Sequence, residues 1–205
     1  MLTTRYKQVL NRILQPCASL IARSGISPSA ITLATPVLTA GACFWLIRTQ
    51  RVAPFCAAMG AVGLLDALDG AVARAGGRVT KFGAYLDAMC DRYVEIMVVL
   101  TVAYVTGYWV LSGVVLAGSL LVSYAKARAA MEVSVSNQEW PDLMERAERG
   151  VFFLIGLVAG AYSPWWPLGR TLFWWTLVIL AALTHLTVFQ RILRARRFIR
   201  ERASH

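Results

Sequence analysis

Four aspartates carry the chemistry most plainly. Residues 63–74 read GLLDALDGAVAR and residues 80–95 read TKFGAYLDAMCDRYVE. Asp66 and Asp69 are spaced i,i+3 and Asp87 and Asp91 i,i+4, so on helices each pair shares one face. The intervening AGGRV is short, which turns the two helices antiparallel and brings the pairs together. Clustered carboxylates repel one another and resist ionisation in an apolar setting. A hard divalent cation removes that conflict, and oxygen donors suit Mg²⁺ or Mn²⁺. One Asp at a helix end is usually a solvated cap, but four in helical register within apolar spans define a functional site. Gly70 and Gly83 leave room beside the acids for a ligand or a backbone. Arg74, one turn past Gly70, can meet a phosphate. Glu95, one turn beyond Asp91, either faces the same cavity or pairs with a basic neighbour.

Membrane spans are the elements that must hold these acids. Hydrophobic residues make up 58% of the 205, well above the roughly half typical of soluble domains. Only 16% are charged, yet the net charge is +10. That pairing fits basic side chains at lipid headgroups, and no nucleic-acid partner is expected. The pattern predicts an all-α integral membrane protein, with one membrane-embedded catalytic domain over residues 1–205. Residues 1–23 set Val9, Leu10, Ile13, Leu14, Leu20 and Ile21 against Arg5, Lys7, Arg12 and Arg23, as in an amphipathic helix lying in the interface. No apolar run there resembles a cleavable signal peptide. Ser27-Pro28 reads as an N-cap followed by proline at the first helical position. Six transmembrane helices follow, near 29–48, 52–75, 81–107, 109–131, 149–163 and 171–190. Cys17, Cys43, Cys56 and Cys90 have no metal-like spacing and read as packing residues.

Basic residues fix the expected orientation. With the N-terminus inside, even-numbered spans return to the cytoplasm. Of 21 Lys and Arg, only Arg48, Arg51 and Arg170 then fall outside. The segment RILRARRFIRER, spanning 191–202, continues the last span as a basic cytoplasmic tail against an anionic leaflet. Both acid pairs lie toward the cytoplasmic ends of their helices, so the active site and both termini are expected on that side of the cytoplasmic membrane.

The acid segments resemble the CDP-alcohol phosphotransferases, also called CDP-alcohol phosphatidyltransferases. Their signature D-x2-D-G-x2-A-R-x8-G-x3-D-x3-D is met by Asp66, Asp69, Gly70, Ala73, Arg74, Gly83, Asp87 and Asp91. The resemblance implies an interfacial helix, six spans, a cytoplasmic active site and a homodimer. It implies two metal ions held by Asp66, Asp69, Asp87 and Asp91, with Asp91 also the general base. Gly70, Ala73, Arg74, Thr80 and Gly83 are implied to border the CDP group, together with Asp66 and Asp69. The segment Ser29, Ala30, Ile31 and Thr32 resembles the one that closes over the same nucleotide. The donor is then a CDP-diacylglycerol-type lipid with its tails in the bilayer, and CMP is the leaving group. Nothing in the chain resembles an activated Ser, Cys or His nucleophile, and His185 and His205 read as structural or tail residues.

Lys126, Arg128, Arg146 and Arg149 flank the expected cytoplasmic loop between the fourth and fifth spans. They are either ordinary positive-inside charge or a site for the phosphate of a small anionic acceptor. Residues 123–129 (SYAKARA) and 145–149 (ERAER) resemble segments of prokaryotic phosphatidylinositol-phosphate and archaetidylinositol-phosphate synthases, although Ala130 stands where an acid is common. Inositol 1-phosphate is the favoured acceptor, with glycerol 3-phosphate or another polar alcohol as the alternative. A cation-coupled transporter could also use intramembrane aspartates, but it would not call for the Gly-x2-Ala-Arg pattern.

Overall fold

The computed structural model describes residues 14–132, 146–163 and 169–203, and all of its long elements are helices. In chain order these are α1 (14–23), α2 (Pro28–Thr49), α3 (Val52–Ala75), α4 (Lys81–Thr106), α5 (Trp109–Glu132), α6 (Arg146–Tyr162) and α7 (Leu172–Ala203). The first half of the expected interfacial helix lies outside the described residues, as do residues 201–205 at side-chain level. Among the described residues, four helices (α2, α3, α5 and α7 as far as Arg200) are long and apolar enough to cross a bilayer. The protein is therefore an α-helical membrane protein. Two of the six expected spans fall outside that group for visible reasons: the first half of α4 carries Lys81, Asp87, Asp91, Arg92 and Glu95, and α6 has only 17 residues. Two boundaries shift from the sequence reading. Helix α6 starts one turn earlier, at Arg146, and α7 runs unbroken through the basic tail, which contains neither Gly nor Pro.

The chain divides into two compact units, Met1–Thr101 and Val102–His205. In the first, α2 begins as its sequence predicts: Ser27 accepts from the Ala30 N–H at 3.2 Å, and Pro28 occupies the first helical position. Pro36 sits inside α2 and has no N–H to offer the Thr32 carbonyl. The Thr35 hydroxyl donates to that carbonyl at 2.8 Å, the kind of repair that lets proline persist in an apolar helix. Helix α2 packs along α3. Ala18 of α1 is buried against Ala71 and Val72 of α3, with Leu14, Ile21, Ala22, Ile31 and Leu68 around them. Part of the apolar face of α1 is thus turned to protein rather than lipid. Gly77, at φ +62°, supplies the left-handed residue of the turn out of α3.

In the second unit α7 packs against both α5 and α6. Its buried stripe runs Phe173, Thr176, Leu177, Leu180, Thr184, Thr187 and Arg191. The three threonine hydroxyls donate to carbonyls one turn back (Leu172, Leu180 and Leu183) at 2.7–3.0 Å, so they enter the packing without unmet polar groups. Glycines of the partner helices meet this stripe: Gly118 of α5 faces Thr184, and Gly156 and Gly160 of α6 face Thr176 and Phe173. The buried face of α6 (Arg149, Phe153, Gly156, Leu157) has helical spacing.

Candidate active site

Helix α3 presents Asp66 and Asp69 and helix α4 presents Asp87 and Asp91, each pair on one helix face. One carboxylate oxygen each of Asp66, Asp87 and Asp91 lies within 4.8 Å of the others, and all three side chains are part-buried. Three anionic oxygens at that spacing in apolar helices are mutually repulsive, and a divalent cation among them reverses the sign of the interaction. The donor set is entirely carboxylate, the chemistry that Mg²⁺ and Mn²⁺ prefer. The residues present therefore fit a divalent metal.

Asp69 is the most buried of the four, at 5% exposure, and its oxygens are not part of the 4.8 Å group. The Thr32 hydroxyl of α2 donates to its Oδ2 at 2.5 Å. Sequence reasoning placed Thr32 beside the nucleotide and missed this bond, which no spacing rule could reveal because it joins residues 37 apart. Ile31 belongs to the apolar contact with α1 and α3. Ser29 is part-buried and Ala30 exposed; the Ala30 amide completes the cap on Ser27.

The signature glycines have side-chain tips as neighbours. A Cβ at Gly70 would come within 3.2 Å of an Arg74 guanidinium nitrogen, which leans back over the turn. A Cβ at Gly83 would meet the Thr80 hydroxyl at 3.0 Å. Thr80 is the N-cap of α4, accepting from the Gly83 N–H at 2.9 Å. Ala73 is part-buried on the same turn as Arg74, which is exposed. Glu95 forms an ion pair with Arg92, at 2.7 Å on the same helix.

The four basic residues singled out by sequence are not alike. Arg149 is buried at 6% exposure, Lys126 and Arg146 are part-buried, and Arg128 is exposed and paired with Glu132 at 2.6 Å. A fifth basic residue was overlooked: Arg191 is 3% exposed, and its guanidinium donates to the Val122 carbonyl of α5. Its signal was its place on the buried stripe of α7, four residues past Thr187, where sequence reading grouped it with the tail. His185 lies 3.2 Å from the Val114 carbonyl, in keeping with a structural role.

Part-buried carboxylates that fit a divalent metal, held on the helices of a membrane protein, point to the class of membrane-embedded enzymes. The sequence profile of the CDP-alcohol phosphatidyltransferases matches residues 25–185, and the chain belongs to that family. It is 32% identical to the phosphatidylinositol phosphate synthase of Mycobacteroides abscessus, covering 91% of this chain and 84% of the relative. It is 33% identical to the archaetidylinositol phosphate synthase of Pyrococcus horikoshii, covering 94% of each. Among solved structures, it resembles the Mycobacterium tuberculosis phosphatidylinositol phosphate synthase with CDP-DAG bound (TM-score 0.76, 26% identity, 90% of this chain and 94% of that one). The same relative in complex with manganese and citrate aligns with TM-score 0.76 at 25% identity, over 89% of this chain and 88% of that one. The protein is thus a phospholipid-synthesising transferase that moves a phosphatidyl-type group from a CDP-activated lipid to an alcohol.

Proposed function

We propose that this chain transfers the phosphatidyl-type group of a CDP-diacylglycerol-type lipid to inositol 1-phosphate and releases CMP. The observation that carries this reading is the convergence of Asp66, Asp87 and Asp91 oxygens within 4.8 Å on two helices that bear the full family signature. The relatives named as phosphatidylinositol and archaetidylinositol phosphate synthases support the acceptor. Asp66, Asp69, Asp87 and Asp91 would hold two ions, Mg²⁺ or Mn²⁺. When bound, such ions offset pyrophosphate charge and stabilise the leaving group. Asp91 takes the proton of the acceptor hydroxyl, whose oxygen bonds to the β-phosphorus as the bond to CMP breaks. Arg74 meets the pyrophosphate, and Gly70, Ala73, Thr80 and Gly83 border the nucleotide with the Ser29–Thr32 segment. Lys126, Arg128, Arg146 and Arg149 read the phosphate of the acceptor.

The same reading makes residues 1–205 one membrane-embedded catalytic domain of a homodimer. An interfacial helix precedes six spans, counting α4 and α6 among them, and the active site and both termini face the cytoplasm. Counted this way, the distribution of Lys and Arg obeys the positive-inside rule.

One experiment tests activity and orientation together. Sealed inside-out and right-side-out vesicles carrying the protein and CDP-diacylglycerol receive Mn²⁺ and an acceptor from outside. Inositol 1-phosphate should release CMP and yield the phosphorylated inositol lipid in inside-out vesicles alone, and a chelator should stop it. Better use of glycerol 3-phosphate or free inositol would sink the acceptor. Activity only in right-side-out vesicles would sink the topology.

A further inference from the structure

Thr32 is held from three directions. Its hydroxyl lies 2.5 Å from Asp69 Oδ2 and 3.1 Å from the Pro28 carbonyl. The Pro28 contact marks a rotamer that threonine adopts readily in helices. One hydroxyl has one proton, and the shorter bond to a charged acceptor takes it. The Thr32 carbonyl, deprived of its usual donor by Pro36, is bound instead by Thr35. The neighbouring Ile31 is packed against α1 and α3. Thr32 and Asp69 are each 5% exposed, so water does not compete for this bond.

A hydroxyl bonded to Oδ2 fixes the plane of the carboxylate and draws electron density from that oxygen. It thereby favours ligation of a cation through Oδ1 alone. Mg²⁺ and Mn²⁺ accept single oxygens in tight octahedral shells, whereas Ca²⁺ takes more oxygens and readily binds both of a carboxylate. We propose that Thr32 is a positioning residue that holds Asp69 as a one-oxygen metal ligand and so favours Mg²⁺ and Mn²⁺ over Ca²⁺. The inference rests on the reading of Asp69 as a metal ligand given above. It assigns the Thr32 hydroxyl to Asp69 while the surrounding segment borders the nucleotide.

Binding of the metal alone tests it. Free Mn²⁺ is measured by electron paramagnetic resonance over the purified full-length protein, without CDP-lipid, and Ca²⁺ is titrated as competitor. Thr32→Val keeps the shape and removes the donor; it should raise the Mn²⁺ Kd about 10-fold, the lower end of what losing a ligand's hydrogen-bond partner costs. The Ca²⁺ Kd should change far less, so Ca²⁺ becomes the better competitor. Thr32→Ser should restore the wild-type values, which a loss of packing would not allow. In an Asp69→Asn background, Thr32→Val should add nothing, because the partner it acts through is gone. Unchanged Mn²⁺ affinity in Thr32→Val, equal weakening of both ions, or additive effects with Asp69→Asn would each overturn the proposal. If the wild-type protein itself binds no Mn²⁺, the metal reading of the acid cluster fails first, and the two failures are told apart.

Discussion

Glycines in the two units stand against different neighbours. Beside the acids of the first unit, a Cβ at Gly70 would touch a guanidinium tip at 3.2 Å and one at Gly83 a hydroxyl at 3.0 Å. In the second unit, a Cβ at Gly156 would fall 2.3 Å from Thr176 side-chain atoms, and one at Gly118 2.4 Å from the Thr184 hydroxyl. The first kind of glycine leaves space that a flexible side chain or a ligand can use; the second kind lets two helix backbones close on each other. Buried charge divides the same way. The first unit buries an aspartate on a threonine hydroxyl, and the second buries an arginine on a helix carbonyl. Changes at the acids and access glycines of the first unit should therefore damage chemistry with the fold intact, and changes at the packing glycines of the second should damage the fold with the chemistry intact.

The largest effect tests the first half of that statement. Asp91→Asn keeps the shape of the side chain but removes the proton acceptor, so kcat should fall at least about 10²-fold. Detergent-solubilised protein should melt at the wild-type temperature, and CDP-lipid should still bind. Asp66→Asn should instead weaken Mn²⁺ and CDP-lipid binding together. Near-normal turnover in Asp91→Asn would remove it as the base.

Exchanging glycine for alanine in both units tests the comparison directly. Gly156→Ala drives a methyl group into a β-branched side chain that has little freedom to turn, and overpacking of this kind costs about 1–3 kcal/mol. Its thermal transition should drop while both KM values hold. Gly70→Ala meets only the mobile end of Arg74 and gains helix propensity, so stability should stay level or rise by up to about 1 kcal/mol. Its KM for CDP-lipid should rise, because the methyl and the displaced Arg74 occupy the space assigned to the nucleotide. Should both variants lose stability equally, the distinction between access and packing glycines is wrong.

Much of this was legible in the sequence, for reasons that differ by residue. The acid register and the Ser27-Pro28 start follow from local spacing, which sequence records directly. The span ends at Thr49 and Ala75 came within a residue of expectation because polar residues and glycines punctuate them. The bond from Thr32 to Asp69 and the burial of Arg191 depend on contacts between distant segments, and no single-helix pattern encodes those. The early start of α6 was hidden because the apolar run that marks the span begins only after Gly150, although Arg, Ala and Glu over 146–149 are all good helix formers.

The smallest effect concerns whether Arg128 belongs with the acceptor at all. Arg128 and Glu132 form an i,i+4 pair at 2.6 Å with side chains about half exposed, at 50% and 47%. Exposed pairs of this kind contribute about 0.2–1 kcal/mol, so stability alone cannot reveal much. Competition can. If the acceptor phosphate draws Arg128 away from Glu132, the pair must open, and its strength is subtracted from acceptor binding. Glu132→Gln should then lower the acceptor KM by up to about five-fold, the factor that 1 kcal/mol represents. Arg128→Ala should raise the same KM, and the double variant should match Arg128→Ala, since Glu132 matters only through its partner. Arg146→Ala provides the scale: a charge-assisted phosphate contact is worth about 1.5–3 kcal/mol, or roughly 10- to 100-fold in acceptor KM. If Arg146→Ala shows that loss while Glu132→Gln and Arg128→Ala leave KM untouched, Arg128 is a solvated surface pair. The acceptor set then narrows to Lys126, Arg146 and Arg149.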